Sequence, residues 1–198
     1  MAFNYALALT GGIATGKSSS VKILSDLGFH CIDADKIAHE MLELHQDKIA
    51  TLFGDAYIKE GKVDRKALGA LIFSNPIEKQ RLEGLLHPLI YAEIERLSIE
   101  EDKFNVPYIV DIPLFFETKR YPIEKSIVVY TPREKQLSRL MQRDGFSQEE
   151  AEQRIKAQIS IEEKREEATY IIDNSKDLKH LYVECCRIKE QILKDFKE

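Results

Sequence analysis

Gly11-Gly12-Ile13-Ala14-Thr15-Gly16-Lys17-Ser18 is the stretch on which the fold of this chain depends. Its spacing fits G-x-x-x-x-G-K-[ST], in which small residues let backbone N–H groups curl around phosphates at the start of a helix. The apolar residues 5–9 precede it, and the helix-like residues 19–27 follow. We therefore predict a nucleotide-binding loop between a strand and a helix, with Lys17 reaching the β- and γ-phosphates and Ser18 ligating Mg²⁺.

Apolar segments of strand length recur along the chain. Four have the composition of buried parallel strands and a weaker fifth comes later, at residues 5–9, 29–32, 108–112, 126–130 and 170–172. Helical stretches separate them, and this alternation predicts a mainly parallel sheet. The expected fold is α/β and P-loop NTP hydrolase-like, a three-layer α/β/α architecture with a mainly parallel five-stranded sheet.

The interval between the second and third strands is far longer than an ordinary crossover. It contains no convincing strand, so residues 36–105 are predicted to form a helical insertion that holds the second substrate. The predicted nucleotide-binding core comprises residues 1–35, 106–135 and 165–198. Residues 136–164 are predicted to form a lid.

Helix starts can be read from side chains able to cap the first free N–H groups. Thr131-Pro132-Arg133-Glu134 and Ser147-Gln148-Glu149-Glu150 both fit a capping box, and Asn75-Pro76-Ile77-Glu78 is a close variant. Asp35 precedes a predicted helix over residues 36–44 and is a candidate cap. A last helix is predicted after Asp177, with Leu181, Ile188 and Ile192 turned inward.

Two arginines on the helix after Thr131 suit phosphoryl transfer. Arg139 and Arg143 are four residues apart, so they project from one helix face. Cations near the migrating group stabilise its charge. Because Asp144-Gly145 and a second helix follow, we predict a lid that closes over ATP and excludes water.

Acidic residues end two of the predicted core strands. Asp111 ends Tyr108-Ile109-Val110-Asp111, where a carboxylate beside a phosphate loop can hold the water shell of Mg²⁺. Asp33-Ala34-Asp35 follows the second strand, and a carboxylate there can accept or orient the proton of an attacking hydroxyl. Asp33 is the predicted base because it lies at the strand end. The predicted metal ligands are Ser18 and Asp111.

Composition bounds the partners. The 198 residues are 43% hydrophobic and 32% charged with a net charge of −5, which suits a soluble globular protein without attraction to nucleic acid or anionic lipid. The first apolar run stops at Gly11, too soon for a membrane span. The three cysteines show no C-x-x-C spacing and indicate reduced thiols. We expect a cytoplasmic monomer or weak homo-oligomer with no nucleic-acid or membrane partner.

A series of blocks resembles the dephospho-CoA kinases of coenzyme A biosynthesis, in order and over nearly the whole chain. They are residues 10–18, Asp33-Ala34-Asp35, residues 64–69 with Ile72-Phe73, His87-Pro88-Leu89-Ile90, Asp111-Ile112-Pro113-Leu114-Phe115-Phe116-Glu117, Gln136-Leu137 with Arg139 and Arg143-Asp144, residues 154–158, and Asp173-Asn174. The phosphate loop alone indicates only a superfamily. The Asp33, His87 and Asp111 blocks together make the resemblance specific.

The resemblance implies transfer of the ATP γ-phosphate to the ribose 3′-hydroxyl of 3′-dephospho-CoA, giving CoA and ADP. Its catalytic residues would be Asp33, Lys17 and Arg139, with ATP and Mg²⁺ as cofactors. Nucleotide binding would fall to the loop residues Gly11, Gly12, Ile13, Ala14, Thr15, Gly16, Lys17 and Ser18, with Arg143 and with Asn174 near the adenine. Acceptor binding would fall to Asp33, Asp35, Arg65, Arg81 and His87.

One departure from the family pattern lies in the loop. Ala14 stands where the family usually has Gly, and alanine restricts the backbone if a positive φ is needed. Two alternatives stay open: a nucleotide or small-metabolite kinase with another acceptor, and a regulatory module that binds ATP without transferring phosphate. The D-x-x-G and N-K-x-D motifs of a GTPase are absent from the sequence.

Overall fold

A computed structural model describes residues 2–197. In chain order its elements are β1 (Ala6–Gly11), α1 (Lys17–Asp26), β2 (Cys31–Asp33), α2 (Ala34–Leu44), α3 (Gln46–Phe53), a 3₁₀ turn (Asp55–Tyr57), β3 (Ile58–Lys59), β4 (Lys62–Val63), α4 (Arg65–Ser74), α5 (Pro76–Asp102), β5 (Tyr108–Asp111), α6 (Phe115–Thr118), β6 (Lys125–Tyr130), α7 (Arg133–Asp144), α8 (Gln148–Lys156), α9 (Ile161–Glu167), β7 (Tyr170–Asp173) and α10 (Leu178–Asp195). The chain forms two compact units. The first joins the residues up to Ile32 with those from Ser98 onward, and the second is Asp33–Leu97.

The first unit is built on a five-stranded sheet with the order β2-β5-β1-β6-β7. β1 pairs in parallel with β5 and with β6, and β6 pairs in parallel with β7. All five strands predicted from the sequence are present, with ends shifted by at most two residues. The carboxyl end of the central strand β1 therefore opens at the edge where α/β sheets bind their ligands.

Both faces of the sheet are covered. Leu7 and Leu9 are fully buried in an apolar cluster with Leu24 of α1 and with the α10 residues Leu181, Cys185, Ile188 and Ile192. Ala6 and Ala8 point to the opposite face and are at most 4% exposed. The predicted three-layer α/β/α architecture is confirmed, as is the inward stripe of the last helix.

The second unit packs around an apolar cluster of its own, made of Leu42, Ile49, Val63, Leu68 and Leu82. The prediction that it contains no strand is wrong, because β3 and β4 form an antiparallel ribbon. Glu60 and Gly61 connect them with φ of 51° and 72°, and two positive φ values are typical of a type I′ hairpin turn. Strands of two residues are too short to alternate visibly, and glutamate is uncommon at the first turn position.

Two of the predicted capping motifs are confirmed. The Ser147 hydroxyl accepts from Glu150 N, and the Glu150 carboxylate accepts from Ser147 N, so α8 begins with a reciprocal capping box. Asn75 Oδ1 accepts from Ile77 N at 3.0 Å, at the start of α5. No helix among residues 2–197 is both long enough and apolar enough to cross a membrane.

Two other caps were assigned wrongly. α7 begins at Arg133 without a side-chain cap, and the buried Thr131 points elsewhere. The cap of α2 is Asp33 and not Asp35, because Asp33 Oδ1 accepts from Lys36 N at 2.9 Å. The N-cap of α7 is Pro132, one residue after the expected Thr131, and that of α2 lies two residues before the expected Asp35. Which residue becomes the N-cap depends on backbone angles and not on residue type.

Candidate active site

The loop between β1 and α1 is held in a tight curl. Thr15 Oγ1 donates to the Gly12 carbonyl at 2.8 Å. A Cβ at Gly11 would lie 2.7 Å from that hydroxyl, so only glycine fits there. Ala14 has φ of 60° and Gly16 has φ of 89°, both in the left-handed region. The positive φ at Ala14 is the conformation for which glycine is the easier residue.

Helix α1 starts directly at the loop. Its N-cap is Gly16, and no side chain caps its first turn. First-turn N–H groups and the positive end of the helix dipole favour a phosphate at such a position. Ser18 lies exposed in this first turn. The loop and helix start are therefore built to bind an anion.

Lys17 and Asp111 form an ion pair beside the loop. Lys17 Nζ lies 2.5 Å from Asp111 Oδ1, and their side chains are 19% and 9% exposed. Asp111 ends β5, and its backbone is in register with Leu9 of β1. The structure thus brings together the predicted phosphate-binding lysine and the predicted metal-binding carboxylate.

Arg139 reaches the loop through two neighbours. Its guanidinium donates to Asn174 O at 2.9 Å and to Thr131 Oγ1 at 3.2 Å. The Thr131 hydroxyl lies 3.1 Å from both Thr15 O and Asn174 O. Asn174 Nδ2 donates to Thr15 O at 2.7 Å. Asn174, predicted near the adenine, therefore braces the backbone of the phosphate loop.

Arg143 is bound differently from Arg139. It is 62% exposed, and its guanidinium contacts both carboxylate oxygens of Asp144. The hydrogen bond from Arg143 lowers the pKa of Asp144, and the same bond raises the pKa of Arg143. The two arginines that sequence spacing groups together thus have separate partners, one inside the loop network and one at the end of α7.

Sequence reasoning gave no role to three residues that touch the loop or its partners. The Lys164 side chain is fully buried, and its Nζ donates to the Gly11 carbonyl at 3.1 Å. Glu117 Oε1 lies 2.6 Å from the same Nζ. Gln158 Oε1 accepts from Ile13 N at 2.8 Å. Glu117 and Gln158 fall inside the resembling blocks, whereas Lys164 stands in the charge-rich Ile161-Glu162-Glu163-Lys164-Arg165, a pattern typical of a solvated helix.

The second unit carries the predicted acceptor residues. Asp33 and Asp35 lie at the start of α2, and Arg65 is the first residue of α4. Arg81 has structural partners within this unit: Glu78 Oε2 at 2.8 Å, the Leu52 carbonyl at 3.0 Å and the Phe53 ring. His87 lies within α5, just before Pro88.

Known proteins resemble this chain in both sequence and fold. The dephospho-CoA kinase family model matches residues 5–180. The dephospho-CoA kinase of Sulfurimonas denitrificans is 51% identical over 198 residues, which are 100% of this chain and 99% of that protein. The solved dephospho-CoA kinase from Campylobacter jejuni is 39% identical with a TM-score of 0.74, covering 96% of this chain and 98% of its own. A shikimate kinase from Acinetobacter baumannii, at 18% identity and a TM-score of 0.50 over 96% and 93% of the two chains, shares the fold.

Proposed function

The chain belongs to the dephospho-CoA kinase family, and we propose that it transfers the γ-phosphate of ATP to the ribose 3′-hydroxyl of 3′-dephospho-CoA, producing CoA and ADP. The observation that carries the proposal is the curled loop at residues 11–18 with Lys17 beside Asp111, in a chain similar to these kinases over its whole length. Phosphoryl transfer needs little covalent chemistry from the protein, so its residues act mainly by positioning and by stabilising charge.

The loop and two cations serve the nucleotide in this proposal. Backbone N–H groups at the end of the loop and in the first turn of α1 hold the phosphates. Lys17 binds the β- and γ-phosphates, and Arg139 stabilises the charge on the migrating group from its place beside Thr131 and Asn174. Arg143 adds a second cation from the end of α7.

Ser18 and Asp111 suit Mg²⁺ as ligands. Both offer oxygen atoms, which Mg²⁺ prefers, and the ion usually takes only one or two protein ligands beside phosphate and water. Within residues 2–197 no group of three His, Cys, Asp or Glu side chains forms a metal site of its own. Bound there, Mg²⁺ would neutralise charge on the β- and γ-phosphates.

Asp33 is the proposed base, accepting or orienting the proton of the 3′-hydroxyl. The motivating observation is its place as the last residue of β2. One oxygen of its carboxylate is engaged by Lys36 N, which fixes the orientation of the side chain. Asp35, Arg65 and His87 are proposed to bind the acceptor, and Arg81 to contribute through the α5 segment that it anchors.

The proposal also includes a lid, a cellular location and an oligomeric state. Residues 136–164, which span most of α7 and all of α8, are proposed to act as a lid over bound ATP. We further propose that the protein works in the cytoplasm as a monomer or weak homo-oligomer.

The test is direct chromatography of products. Purified protein is incubated with Mg²⁺-ATP and 3′-dephospho-CoA, with adenosine, AMP and shikimate as parallel acceptors. CoA formation that depends on Lys17 and Asp33 is the expected result. ADP released only with another acceptor would retain a kinase and reject this acceptor.

Asp33→Asn separates the base from the cap. Asparagine caps a helix as well as aspartate does, so α2 should stay intact while kcat falls by at least ~100-fold. ATP affinity should be retained. Asp177→Asn is the control, because Asp177 caps α10 in the same way by accepting from His180 N. Its kcat should stay at the wild-type level, and near-normal turnover in Asp33→Asn would reject the base assignment.

A further inference from the structure

Lys164 is an unusual residue for the interior of the first unit. It belongs to α9, whose other charged residues are exposed, yet its own side chain is fully buried. A buried ammonium group is costly unless it is both paired and hydrogen-bonded. Lys164 meets both conditions, with Glu117 Oε1 at 2.6 Å and the Gly11 carbonyl at 3.1 Å. The second contact joins this buried charge to the first residue of the phosphate loop.

A residue just before α9 also contacts the phosphate loop, two positions after Gly11. Gln158 lies just before α9, and its Oε1 accepts from Ile13 N at 2.8 Å. The segment 158–164 thus binds both peptide groups that flank Gly12. Lys164 donates to the Gly11 carbonyl, and Gln158 accepts from the Ile13 amide. Both partners are backbone groups, so the two contacts fix how the peptides on either side of Gly12 are turned.

Glu117 connects these contacts to each other. Its Oε1 accepts from Ile159 N at 3.2 Å and also pairs with Lys164 Nζ. One carboxylate oxygen thus contacts the segment 158–164 both beside Gln158 and at Lys164. Its Oε2 is buried and has no hydrogen-bond partner among residues 2–197. An ion pair with one unsatisfied oxygen is a poor device for stability alone, since apolar or neutral replacements of similar size often stabilise a fold equally well.

We propose that Lys164 and Gln158 are positioning residues of the phosphate loop. They hold the Gly11 carbonyl and the Ile13 amide in the orientation in which the loop binds nucleotide phosphates, and Glu117 holds Lys164 in place. Preorganised donors bind developing charge without reorganising, and small displacements of such groups are expensive for the reaction. The proposal rests on the phosphate-binding role of the loop and is independent of which acceptor receives the phosphate.

A double-mutant cycle separates positioning from stability. Lys164→Met leaves Glu117 buried without its cation, and Glu117→Gln leaves Lys164 without its anion, so each should lower the melting temperature. The double variant buries no unpaired charge and keeps an oxygen for Ile159 N, so its melting temperature should recover. ATP affinity should not recover, because the Gly11 carbonyl still lacks its donor.

The expected measurements are an ATP Kd raised roughly tenfold in the double variant and an unchanged KM for the acceptor. ATP binding is measured directly by calorimetry, so failure of CoA formation in the wild type would reject the proposed function and leave this inference standing. Lys189→Met is the matched control. Lys189 Nζ also donates to a backbone carbonyl, that of Leu27 at 2.6 Å, away from the loop, and ATP affinity should be unchanged.

Gln158→Leu tests the other contact without altering any charge. It should raise the ATP Kd in a folded protein, whereas Gln191→Leu, at an exposed position on α10, should leave it unchanged. The inference is overturned if the double variant recovers wild-type ATP affinity together with its stability. It is also overturned if Gln158→Leu binds ATP as tightly as the wild type, and this second comparison decides the matter if the Lys164 variants do not fold.

Discussion

Gly16 illustrates how single residues determine the geometry of the phosphate loop. Its φ of 89° is left-handed, and a Cβ built on it would lie 2.1 Å from Asn174 Nδ2. That amide group is the one that donates to the Thr15 carbonyl. The second glycine of the motif is therefore required twice, once by its backbone angle and once by the side chain that braces the loop.

Comparison of Gly16→Ala with Gly28→Ala separates these two requirements. Gly28 lies just beyond the other end of α1 with φ of 102°, and a methyl group there would meet no other described residue within 4 Å apart from its chain neighbours. Both variants carry the left-handed strain of about 1–2 kcal/mol, and Gly16→Ala should cost about 1–3 kcal/mol more through the clash. Denaturant unfolding measures both. Equal losses would mean that Asn174 moves aside freely.

At the scale of elements, the two helices that follow β6 differ in how their first turns are capped. α7 begins after Pro132 without a side-chain cap, so Thr131 is left to bridge the loop and Asn174. α8 has the full capping box of Ser147 and Glu150. Hydrogen bonds from Ser147 lower the pKa of Glu150, which therefore supports the helix start above its unfolded pKa and loses this support as the pH falls through the lowered value.

Ser147→Ala should weaken α8 by about 1 kcal/mol, because an N–H group of its first turn loses its acceptor. Hydrogen exchange should speed up in α8 and stay unchanged in the sheet. Ser138→Ala is the control, since Ser138 lies within α7, away from both of its ends, and alanine there slightly favours the helix. Equal exchange in the two variants would assign the start of α8 to packing and not to its cap.

At the scale of the whole molecule, α10 closes the apolar core of the first unit. Leu181, Cys185, Ile188 and Ile192 recur at helical spacing and are at most 1% exposed. Cys185 and Cys186 are adjacent, but of the two only Cys185 is buried in this core. Burial raises the pKa of the Cys185 thiol to about 12.

Thiol labelling should therefore report the opening of this core. At pH 8 Cys186 should react quickly in the native protein, whereas Cys185 should react only through unfolding, at a rate that rises with denaturant. Because the pKa of the folded Cys185 thiol is raised, the thiol contributes fully to stability below its unfolded pKa of about 8.5. This contribution is lost as the pH rises toward 12. The free energy of unfolding of the wild type should fall over that range more steeply than that of Cys185→Ala. Equal labelling rates at both cysteines in native buffer would contradict this packing.

Much of the molecule was predictable because its signals are local. The five strands, the phosphate loop and the Ser147 cap each depend on residue types within a few positions of one another. The β3–β4 ribbon was missed, since two-residue strands carry no pattern, and Thr131 was assigned to a cap because its sequence neighbours fit one. Asp33, Arg143 and the acceptor residues stay predictions for the experiments above.

The sequence by itself determined the α/β fold, the phosphate-binding loop and the family, since apolar periodicity, glycine spacing and motif order are written along the chain. Only the tertiary structure decided which distant groups meet at the loop. Lys164 and Gly11 are 153 positions apart, a separation that the long crossovers between parallel strands bring into contact. A lysine among glutamates is ordinary as sequence, and its burial follows only from where the sheet places the carbonyl that it binds.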